Sequence, residues 1–526
     1  MRAPTRTLTA PSAPPPGVGC RGADAPSRGA RSRRRGALRG LLAGALLALL
    51  LPAAGSAGPA AGDWPLHNGN LASTRAAAGS GISAATVGRL EVAWRLPFTS
   101  PSGLEGIFAS TPLVVGGRVY ALDLNSRLYA ADLRTGLLLW TRSSHARNSG
   151  PNGIGYAGGR VFGTTDTTAY AVDAETGRQL WARRLASRTE QFIEVAPVSA
   201  DGRVYLSTVG FPPGGRGALY ALDAVTGRIV WRFDTIKGPW ARPQAGGGGA
   251  WYPASVDADG RVYVGTANPG PWGGTPALPN GAAYAGPALY TDSLLVLDGR
   301  TGKLLWHDQV TPHDVRDYDF QDSPILASVQ RGGRSVSVVI GAGKAGRVIA
   351  WDRATHRRLW DVEVGVHRND RGPLPRKAVE VCPGLLGGVE TPMAYAAGRV
   401  FVPVVNLCTR ESAVSNAPLG TLDVTKGTGE LVALDAATGR RLWRRVLPQP
   451  VFGCATVAGD VVFTSTFDGR SWGFRTSDGK LVWQARARAG SNSCPAVAGD
   501  TLLVGAGTGH PAHPQPVREL IAYRLR

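Results

Sequence analysis

One short run holds the densest group of chemically active side chains in this chain. Five of them fall within ten residues: His313, Asp314, Asp317, Asp319 and Asp322. Neighbouring carboxylates repel one another unless a cation, an arginine or a shared proton compensates. The run therefore predicts either a site that uses the carboxylates in chemistry or a loop that calcium or arginine stabilises without catalysis. These residues alone leave both interpretations open.

A second segment, VGTANPGPWGG (residues 264–274), reads as a strand that ends at Asn268 and runs into proline and glycine. An amide side chain in this position is more polar than packing requires. Together with the aspartate run, it indicates a ligand site in this part of the chain.

The elements that must position these side chains repeat along the sequence. Seven copies combine an apolar strand, Asp-x-x-Thr-Gly, three residues and a tryptophan. They are Leu128–Trp140, Ala169–Trp181, Leu219–Trp231, Leu294–Trp306, Val348–Trp360, Leu431–Trp443 and the more divergent Ser471–Trp483. Repetition at this period is typical of stacked units that cannot bury their faces alone, and the strand-and-turn content makes each unit a β-sheet blade.

Each part of the repeat has a mechanical role. The aspartate can accept hydrogen bonds from amides further along the turn, the threonine braces it, and the glycine supplies a positive φ. We expect the tryptophan to lie flat between neighbouring blades, where it fills the wedge that widens with radius. Arg475 in place of the aspartate and His356 in place of the glycine mark two turns that must be built differently.

An eighth tryptophan, Trp94, precedes any strand that could belong to its blade, whereas the last residues, Arg518–Arg526, form a strand with no tryptophan after it. Pairing the two closes the ring and removes free sheet edges. The sequence therefore predicts an all-β, eight-bladed β-propeller. Successive tryptophans lie 46, 41, 50, 75, 54, 83 and 40 residues apart. The two long intervals predict insertions that cover one end of the ring, where propellers bind ligands.

The first residues do not read as part of this fold. Five arginines between Arg31 and Arg39 precede a leucine- and alanine-rich run and a string of small residues. This order is typical of an export signal cleaved near Ala57 or Ala61, so we expect a signal peptide over 1–61 and one propeller domain over 62–526. The alternative is an uncleaved membrane anchor, although the apolar run is short for a bilayer. SRRRGAL (residues 32–38) also resembles a twin-arginine signal.

The charge and the cysteine content of the chain limit the range of possible functions. The formal charge is +20, of which the first 62 residues contribute +8, so about +12 remains after cleavage. The remaining basic residues are scattered rather than grouped on a helix or interleaved with aromatics, which argues against nucleic-acid binding.

Four cysteines remain as well, without CxxC spacing for a metal or a covalent haem. Three disulfide pairings are open, and local pairing, Cys382–Cys408 with Cys454–Cys494, is favoured because each pair lies in one region or in adjacent blades.

At this point the motifs resemble one family. From DWPLHNGNLASTR (residues 63–75) to the last blade, the chain is similar to the quinoprotein alcohol dehydrogenases, eight-bladed propellers that use pyrroloquinoline quinone (PQQ) and calcium, with the polyvinyl-alcohol-dehydrogenase-like branch nearest. The resemblance implies an exported enzyme that oxidises a primary or secondary alcohol, polymeric alcohols included. We expect a monomer without stable membrane insertion after cleavage, which passes electrons to a separate acceptor because no haem motif is present.

The resemblance also implies residue roles. GTANPGPW resembles the segment whose Asn binds calcium, which points to Asn268, and TPHDVRDYD resembles the segment of the general base, which points to Asp317, with Asp319 as a further calcium ligand. GAGKAGRVIAWD resembles the strand whose cation contacts the quinone, which points to Lys344. GGGGAWYPASVD resembles the strand whose indole lies under the cofactor, which points to Trp251. The pair Cys382–Cys408 matches a family disulfide.

Departures from the family pattern are equally specific. GFPPGGRGALYALD (residues 210–223) lacks the Glu that binds calcium in the family, and ARNSGPNGIGYAGG (residues 146–159) lacks the adjacent cysteines and the arginine that contact the cofactor. Glu194 and Glu390 stand near positions where the family has neutral polar residues, so they are expected at the cofactor, where one of them could replace the absent calcium ligand. Two rival functions follow: a propeller without cofactor that serves as a binding or assembly module, and a carbohydrate-binding propeller.

Overall fold

The computed structural model describes residues 62–98, 110–148, 150–187, 189–211, 214–281, 286–415 and 422–526. The predicted signal peptide lies outside the described residues. Within them, regular structure consists of β-strands and two short 3-10 helices, Val87–Arg89 and Val424–Lys426. The predicted all-β class is confirmed.

Most strands belong to eight blades, each of which contains four antiparallel strands, and a short fifth strand joins blade 3 and another joins blade 7. Blade 1 contains Leu113–Val115, Arg118–Leu122, Arg127–Asp132 and Leu138–Ser143; blade 2 contains Ile154–Ala157, Arg160–Thr164, Thr168–Asp173 and Gln179–Arg184; blade 3 contains Val198–Ala200, Arg203–Gly210, Ala218–Asp223 and Ile229–Asp234; and blade 4 contains Ser255–Val256, Arg261–Gly265, Ser293–Asp298 and Leu304–Gln309. Blade 5 contains Ile325–Arg331, Arg334–Ala342, Arg347–Asp352 and Arg358–Glu363; blade 6 contains Ala394–Ala396, Arg399–Asn406, Thr428–Asp435 and Arg441–Leu447; blade 7 contains Thr456–Ala458, Val461–Ser465, Arg470–Arg475 and Leu481–Arg486; and blade 8 contains Ala496–Ala498, Thr501–Ala506, Glu519–Leu525 and Leu90–Pro97.

Blade 8 closes the ring as predicted. Its outer strand, Leu90–Pro97, comes from the beginning of the propeller and pairs antiparallel with Glu519–Leu525 from its end, with Trp94 opposite Ala522. Most side chains of the outer strands are exposed or half-buried, whereas the three inner strands of each blade are largely buried. The core therefore lies between blades, where the faces of adjacent sheets meet.

The turn between the third and fourth strands builds the contact between neighbouring blades. In blade 3, Asp223 Oδ1 accepts hydrogen bonds from the amide (2.8 Å) and hydroxyl (2.7 Å) of Thr226. Gly227 has a φ of +68°, and a Cβ there would lie 2.5 Å from the Trp181 ring of blade 2. Trp181 Nε1 in turn donates to the carbonyl of Ala224 at 3.1 Å. The tryptophan thus lies against the turn of the next blade, as the sequence predicts.

The two irregular turns use other contacts. His356 adopts a φ of +61° and stacks on Trp306 of blade 4, with 4.7 Å between ring centroids. Arg475 reverses the charge pattern, since its guanidinium pairs with the Asp478 carboxylate, which also accepts a hydrogen bond from the amide of Lys480.

Short first strands of neighbouring blades contact one another around the axis. A segment that precedes all the blade strands in the sequence, residues 71–77, crosses this axis, because its backbone carbonyls accept hydrogen bonds from the first strands of four blades. The acceptors Leu71, Ala72, Thr74 and Arg75 are paired with the amides of Val256, Leu326, Tyr395 and Val457, respectively. Ala76–Ala77 then pairs in parallel with the first strand of blade 7.

Shorter elements occupy the insertions. Gln191–Phe192 pairs with the second strand of blade 3, Gly246–Gly247 pairs with Pro269–Gly270, and Val379–Val381 pairs with Thr409–Glu411. Both predicted disulfides, Cys382–Cys408 and Cys454–Cys494, are present, with Cα–Cα separations of 4.5 and 4.7 Å. Among the described residues, no helix has the length and apolarity needed to cross a membrane.

Candidate functional site

A cavity of about 520 Å³ opens at one end of the ring axis. Its walls are formed by the segments that enter the first strand of a blade and the segments that leave the second strand. Because these two strands are antiparallel, the start of the first and the end of the second lie at the same end of the blade. Six of the seven predicted site residues line it: Glu194, Trp251, Asn268, Asp317, Lys344 and Glu390. The insertions of blades 4 and 6 contribute to its wall, as the long tryptophan intervals predict.

Asp317 stands at the centre of this group. Its Oδ1 accepts a hydrogen bond from Asn268 Nδ2 at 2.6 Å, and its Oδ2 pairs with Lys344 Nζ at 2.8 Å. The backbone of Asp317 has a φ of +66°, a conformation that non-glycine residues adopt rarely and that often marks functional sites. The surrounding contacts therefore hold this carboxylate in a fixed position at the cavity wall.

The seventh predicted residue, Asp319, lies beneath the others and is fully buried. Its Oδ1 accepts hydrogen bonds from the amide of Asn268 (2.7 Å) and from Trp251 Nε1 (3.1 Å), while its Oδ2 lies 2.6 Å from Lys344 Nζ. Asp319 thus fixes the three neighbours that line the cavity. The structure brings it into the predicted cluster but not onto the cavity surface.

Burial and charge have opposite effects on the pKa values of Asp317 and Lys344. Burial raises the pKa of Asp317 well above its usual range, and the attraction of the Lys344 ammonium only partly offsets this. Burial alone would lower the pKa of Lys344, but attraction to Asp317 and Asp319 raises it well above its ordinary value. Lys344 is therefore a fixed cation beside two carboxylates, and Asp317 is a carboxylate with an increased affinity for protons.

Glu390 faces the same cavity from the entrance to blade 6. Its Oε2 accepts a hydrogen bond from Gln321 Nε2 at 2.9 Å, and its Oε1 has no hydrogen-bond partner among the described residues. Burial raises its pKa to about 7. Glu194 enters from the segment before blade 3 and is also buried.

The remaining residues of the aspartate run serve the loop. Asp314 accepts hydrogen bonds from the amides of Arg316 (2.8 Å) and Tyr318 (2.7 Å), and burial raises its pKa to about 6. His313 Nε2 contacts the carbonyl of Asn280 at 2.7 Å. Asp322 is fully buried, with no hydrogen-bond partner among the described residues. None of these three lines the cavity.

Several cavity residues were not predicted from the sequence. Trp272 lines the wall four residues after Asn268, and its Nε1 is buried without a hydrogen-bond partner in the described part of the chain. Thr391 Oγ1, next to Glu390, is in the same state. Trp272 lies within the GPW segment that already carried Asn268, so its position was a usable signal. Phe192 and Phe211, which meet edge to face at 5.3 Å, come from sequence without a comparable signal.

The fold and the cavity define a class, the eight-bladed propeller with a cavity on its axis, and comparisons with known proteins show which members of this class the chain resembles. A family model described as the glucose/ethanol/alcohol dehydrogenase β-propeller domain matches residues 64–158 and 207–370. A second, described as outer membrane protein assembly factor BamB, matches residues 384–512.

Individual relatives agree with the first model. A quinohemoprotein alcohol dehydrogenase of Comamonas testosteroni is 28% identical over 508 residues, which cover 82% of this chain and 70% of the relative. A lanthanide-dependent methanol dehydrogenase of Methylacidiphilum fumariolicum is 27% identical over 516 residues, covering 82% and 81%. The crystal structure of the Comamonas testosteroni enzyme superposes with a TM-score of 0.77 at 25% identity, covering 88% of this chain and 80% of that one. Over most of its length the chain is thus similar to PQQ-dependent alcohol dehydrogenases.

Proposed function

We propose that this protein is an exported quinoprotein oxidoreductase that oxidises an alcohol with PQQ and calcium. The observation that supports this most directly is the convergence of Asp317, Asn268, Lys344 and Trp251 on one axial cavity. Four different segments contribute these side chains, and no packing requirement explains why a carboxylate, an amide, an ammonium and an indole should meet there. Electrons pass to a separate acceptor, because the chain carries no haem-attachment motif.

The residues present fit such a cofactor in three respects. Asp317 and Asn268 offer oxygen atoms of the kind calcium prefers, with Asp319 or Glu194 as a further ligand. Trp251 supplies an aromatic surface for a planar ring, and its indole is anchored by Asp319. Lys344 supplies a cation, while Trp272 Nε1 and Thr391 Oγ1 are donors without partners in the described chain.

The chemistry of the reaction divides between cofactor and protein. When bound, PQQ would supply a two-electron acceptor for the alcohol carbon, and calcium would supply Lewis-acid polarisation. Asp317 accepts the hydroxyl proton, so that the alcohol loses two electrons and two hydrogens and becomes an aldehyde or ketone. Asn268 and Lys344 hold the two oxygens of Asp317 in place, and their contacts keep the carboxylate oriented towards the cavity.

A second function, a binding or assembly module without cofactor, is favoured by a specific observation. Among the described residues, Glu194, Asp317 and Glu390 line the cavity together with Lys344, and carboxylates in such a position disfavour a tricarboxylated ligand. In addition, residues 384–512 match the BamB family model.

Reconstitution separates the two functions. Purified protein is incubated with PQQ and either calcium or lanthanum, and cofactor binding is measured by absorbance together with alcohol-dependent reduction of a dye acceptor. We expect saturable PQQ binding at micromolar concentration and turnover that requires the metal. Absence of PQQ binding with both metals would exclude the oxidoreductase and leave the binding module.

A further inference from the structure

A group of metal-ligating side chain types lies outside the axial cavity, where blade 5 ends. Glu363 is the last residue of the outer strand of this blade, and His367 and Asp370 follow in the segment that leaves it. One ligand atom from each of these three residues lies within 4.8 Å of the other two. None of the three lines the cavity, so the proposed function does not account for them.

The contacts of His367 determine which of its ring nitrogens can bind a cation. Nε2 lies 3.1 Å from the carbonyl oxygen of Val364, and because a carbonyl only accepts hydrogen bonds, Nε2 carries the proton. In a neutral ring Nδ1 then has a free lone pair, and it lies 2.7 Å from Asp370 Oδ2, which is also an acceptor when ionised. Two acceptors this close require a positive charge between them, which is either a second proton on the imidazole or a metal ion.

The surrounding charges are compatible with a metal ion. Glu363 and Asp370 bring two carboxylates, and the guanidinium of Arg371 pairs with Glu363 and compensates one of them. With a neutral His367, these four side chains together keep one negative charge. The side chains of His367 and Asp370 are each 16% exposed, so an ion can reach them from solvent. A histidine that binds a metal usually donates its other ring N–H to a carbonyl or carboxylate, as Nε2 does here.

We propose that Glu363, His367 and Asp370 form a surface site for a divalent transition-metal ion such as Zn²⁺. One imidazole nitrogen and two carboxylates suit zinc, whereas calcium takes oxygen ligands. Three protein ligands leave the fourth tetrahedral position to water. This inference goes beyond the proposed function and does not depend on it, because the site contains neither the cavity nor its cofactor residues.

The site is connected to the loop that carries Asp317. The guanidinium of Arg316, the preceding residue, donates to the carbonyls of Asn369 at 3.2 Å and Gly372 at 2.7 Å. These carbonyls belong to the same segment as two of the three proposed ligands. An ion that joins this segment to the outer strand of blade 5 would restrict its motion and stabilise the anchor of Arg316.

Metal titration of the purified protein tests the site. Zinc binding is measured by calorimetry in excess calcium, and hydrogen-exchange mass spectrometry locates the ion in the unmodified protein. We expect zinc to bind with a dissociation constant on the order of 10 μM and to slow amide exchange in residues 364–372. Displacement of the zinc by calcium, or binding that leaves exchange in this segment unchanged, would overturn the proposal. These outcomes require no cofactor and no alcohol, so a failure of the proposed oxidoreductase function leaves them unaffected.

Substitutions with opposite expected effects then assign the ligands. His367→Gln removes the nitrogen ligand and should weaken zinc binding about tenfold or more. Arg371→Gln removes the cation that pairs with Glu363 and should strengthen binding about threefold. His510→Gln, at a histidine outside this group, is the control and should leave the affinity unchanged. Unaltered affinity in His367→Gln, or weaker binding in Arg371→Gln, would contradict the assignment.

Discussion

The turns between the third and fourth strands of the blades, here called rim turns, and the axial cavity both contain aspartates. The hydrogen-bond and ion-pair partners of these aspartates lie at different distances along the chain. In a rim turn, Asp223 accepts two hydrogen bonds from Thr226, three residues away. At the axis, Asp317 is held by Lys344 and Asn268, which lie 27 and 49 residues away. Rim geometry is thus encoded in five consecutive residues, whereas cavity geometry exists only once several blades have assembled.

The same contrast appears in the acidity of the two aspartates. Hydrogen bonds from Thr226 lower the pKa of Asp223, which stays accessible to water. Burial raises the pKa of Asp317 well above its usual range. The rim therefore uses an aspartate as a stable acceptor in a turn, while the axis places one where its proton affinity is increased, as a group that takes a proton from a substrate requires.

The largest effect on stability is expected at the closure of blade 8, where a strand from the beginning of the propeller pairs with a strand from its end. Deletion of Arg518–Arg526 removes the strand between Thr501–Ala506 and Leu90–Pro97 and exposes two sheet edges. We expect aggregation and loss of the cooperative thermal transition, measured by light scattering and circular dichroism. Removal of the exposed Arg526 alone is the control and should be harmless. A truncated protein that remains monomeric with an unchanged melting temperature would refute this role of the closure.

The second prediction exchanges one aspartate in each region for asparagine. Asp317→Asn keeps the shape and removes the proton acceptor, so turnover of the reconstituted enzyme should fall by about 10²-fold or more with a smaller change in cofactor affinity. Trp251→Ala should show the opposite pattern and lose cofactor first. Asp223→Asn, the same exchange in a rim turn, should leave turnover intact. Wild-type turnover in Asp317→Asn on every oxidised alcohol would exclude Asp317 as the base.

The distance contrast also explains what the sequence could predict. The repeat copies predicted eight blades, the ring closure and the wedge position of the tryptophans, because each signal lies within about a dozen residues or recurs at a fixed period. His356 illustrates the precision of this signal: a missing turn glycine marked an irregular turn, and the structure shows a histidine stacked on Trp306 there. The segment Leu71–Arg75 gave no such signal, although its backbone carbonyls accept hydrogen bonds from four blades and the Arg75 guanidinium donates to the carbonyls of Ala455 and Pro495.

At the axis, the residue types were predictable but their arrangement was not. Family motifs pointed to Asp317, Asn268, Lys344 and Trp251, and all four line the cavity. The sequence could not show that Asp319 lies beneath them, since spacing by two residues does not reveal which carboxylate faces solvent in an irregular loop. The functional roles of these residues remain predictions that the substitutions above test.

The third prediction strains a single rim contact. Alanine at Gly227 would have to adopt a φ of +68° with its Cβ 2.5 Å from Trp181. The positive φ and the overpacking together should destabilise the protein by about 3 kcal/mol, measured by denaturant unfolding. Gly116→Ala is the matched control, since its φ is +57° with no atom within 4 Å of the added Cβ; about 1 kcal/mol is expected there. Equal costs at the two sites would show that the tryptophan contact tolerates a side chain.

The smallest effect concerns the pH dependence of stability, which should have opposite signs at a buried carboxylate of the blade 6 insertion and at the aspartate of a rim turn. Glu411 lies in the blade 6 insertion and is 1% exposed, and burial raises its pKa from 4.5 to about 7. Between these values the folded protein holds a proton that the unfolded chain releases, so stability is highest below the lower value and falls as the pH rises through the higher one. Glu411→Gln should remove about 3 kcal/mol of this dependence and make the protein more stable at pH values above 7 than the unmodified chain. Asp223, whose pKa is lowered, contributes stability above its ordinary pKa that is lost as the pH falls, so Asp223→Asn should reduce the acid-side loss instead. Parallel pH profiles of unfolding free energy for the two variants would contradict this difference between the solvated aspartate of a turn and the buried carboxylate of the insertion.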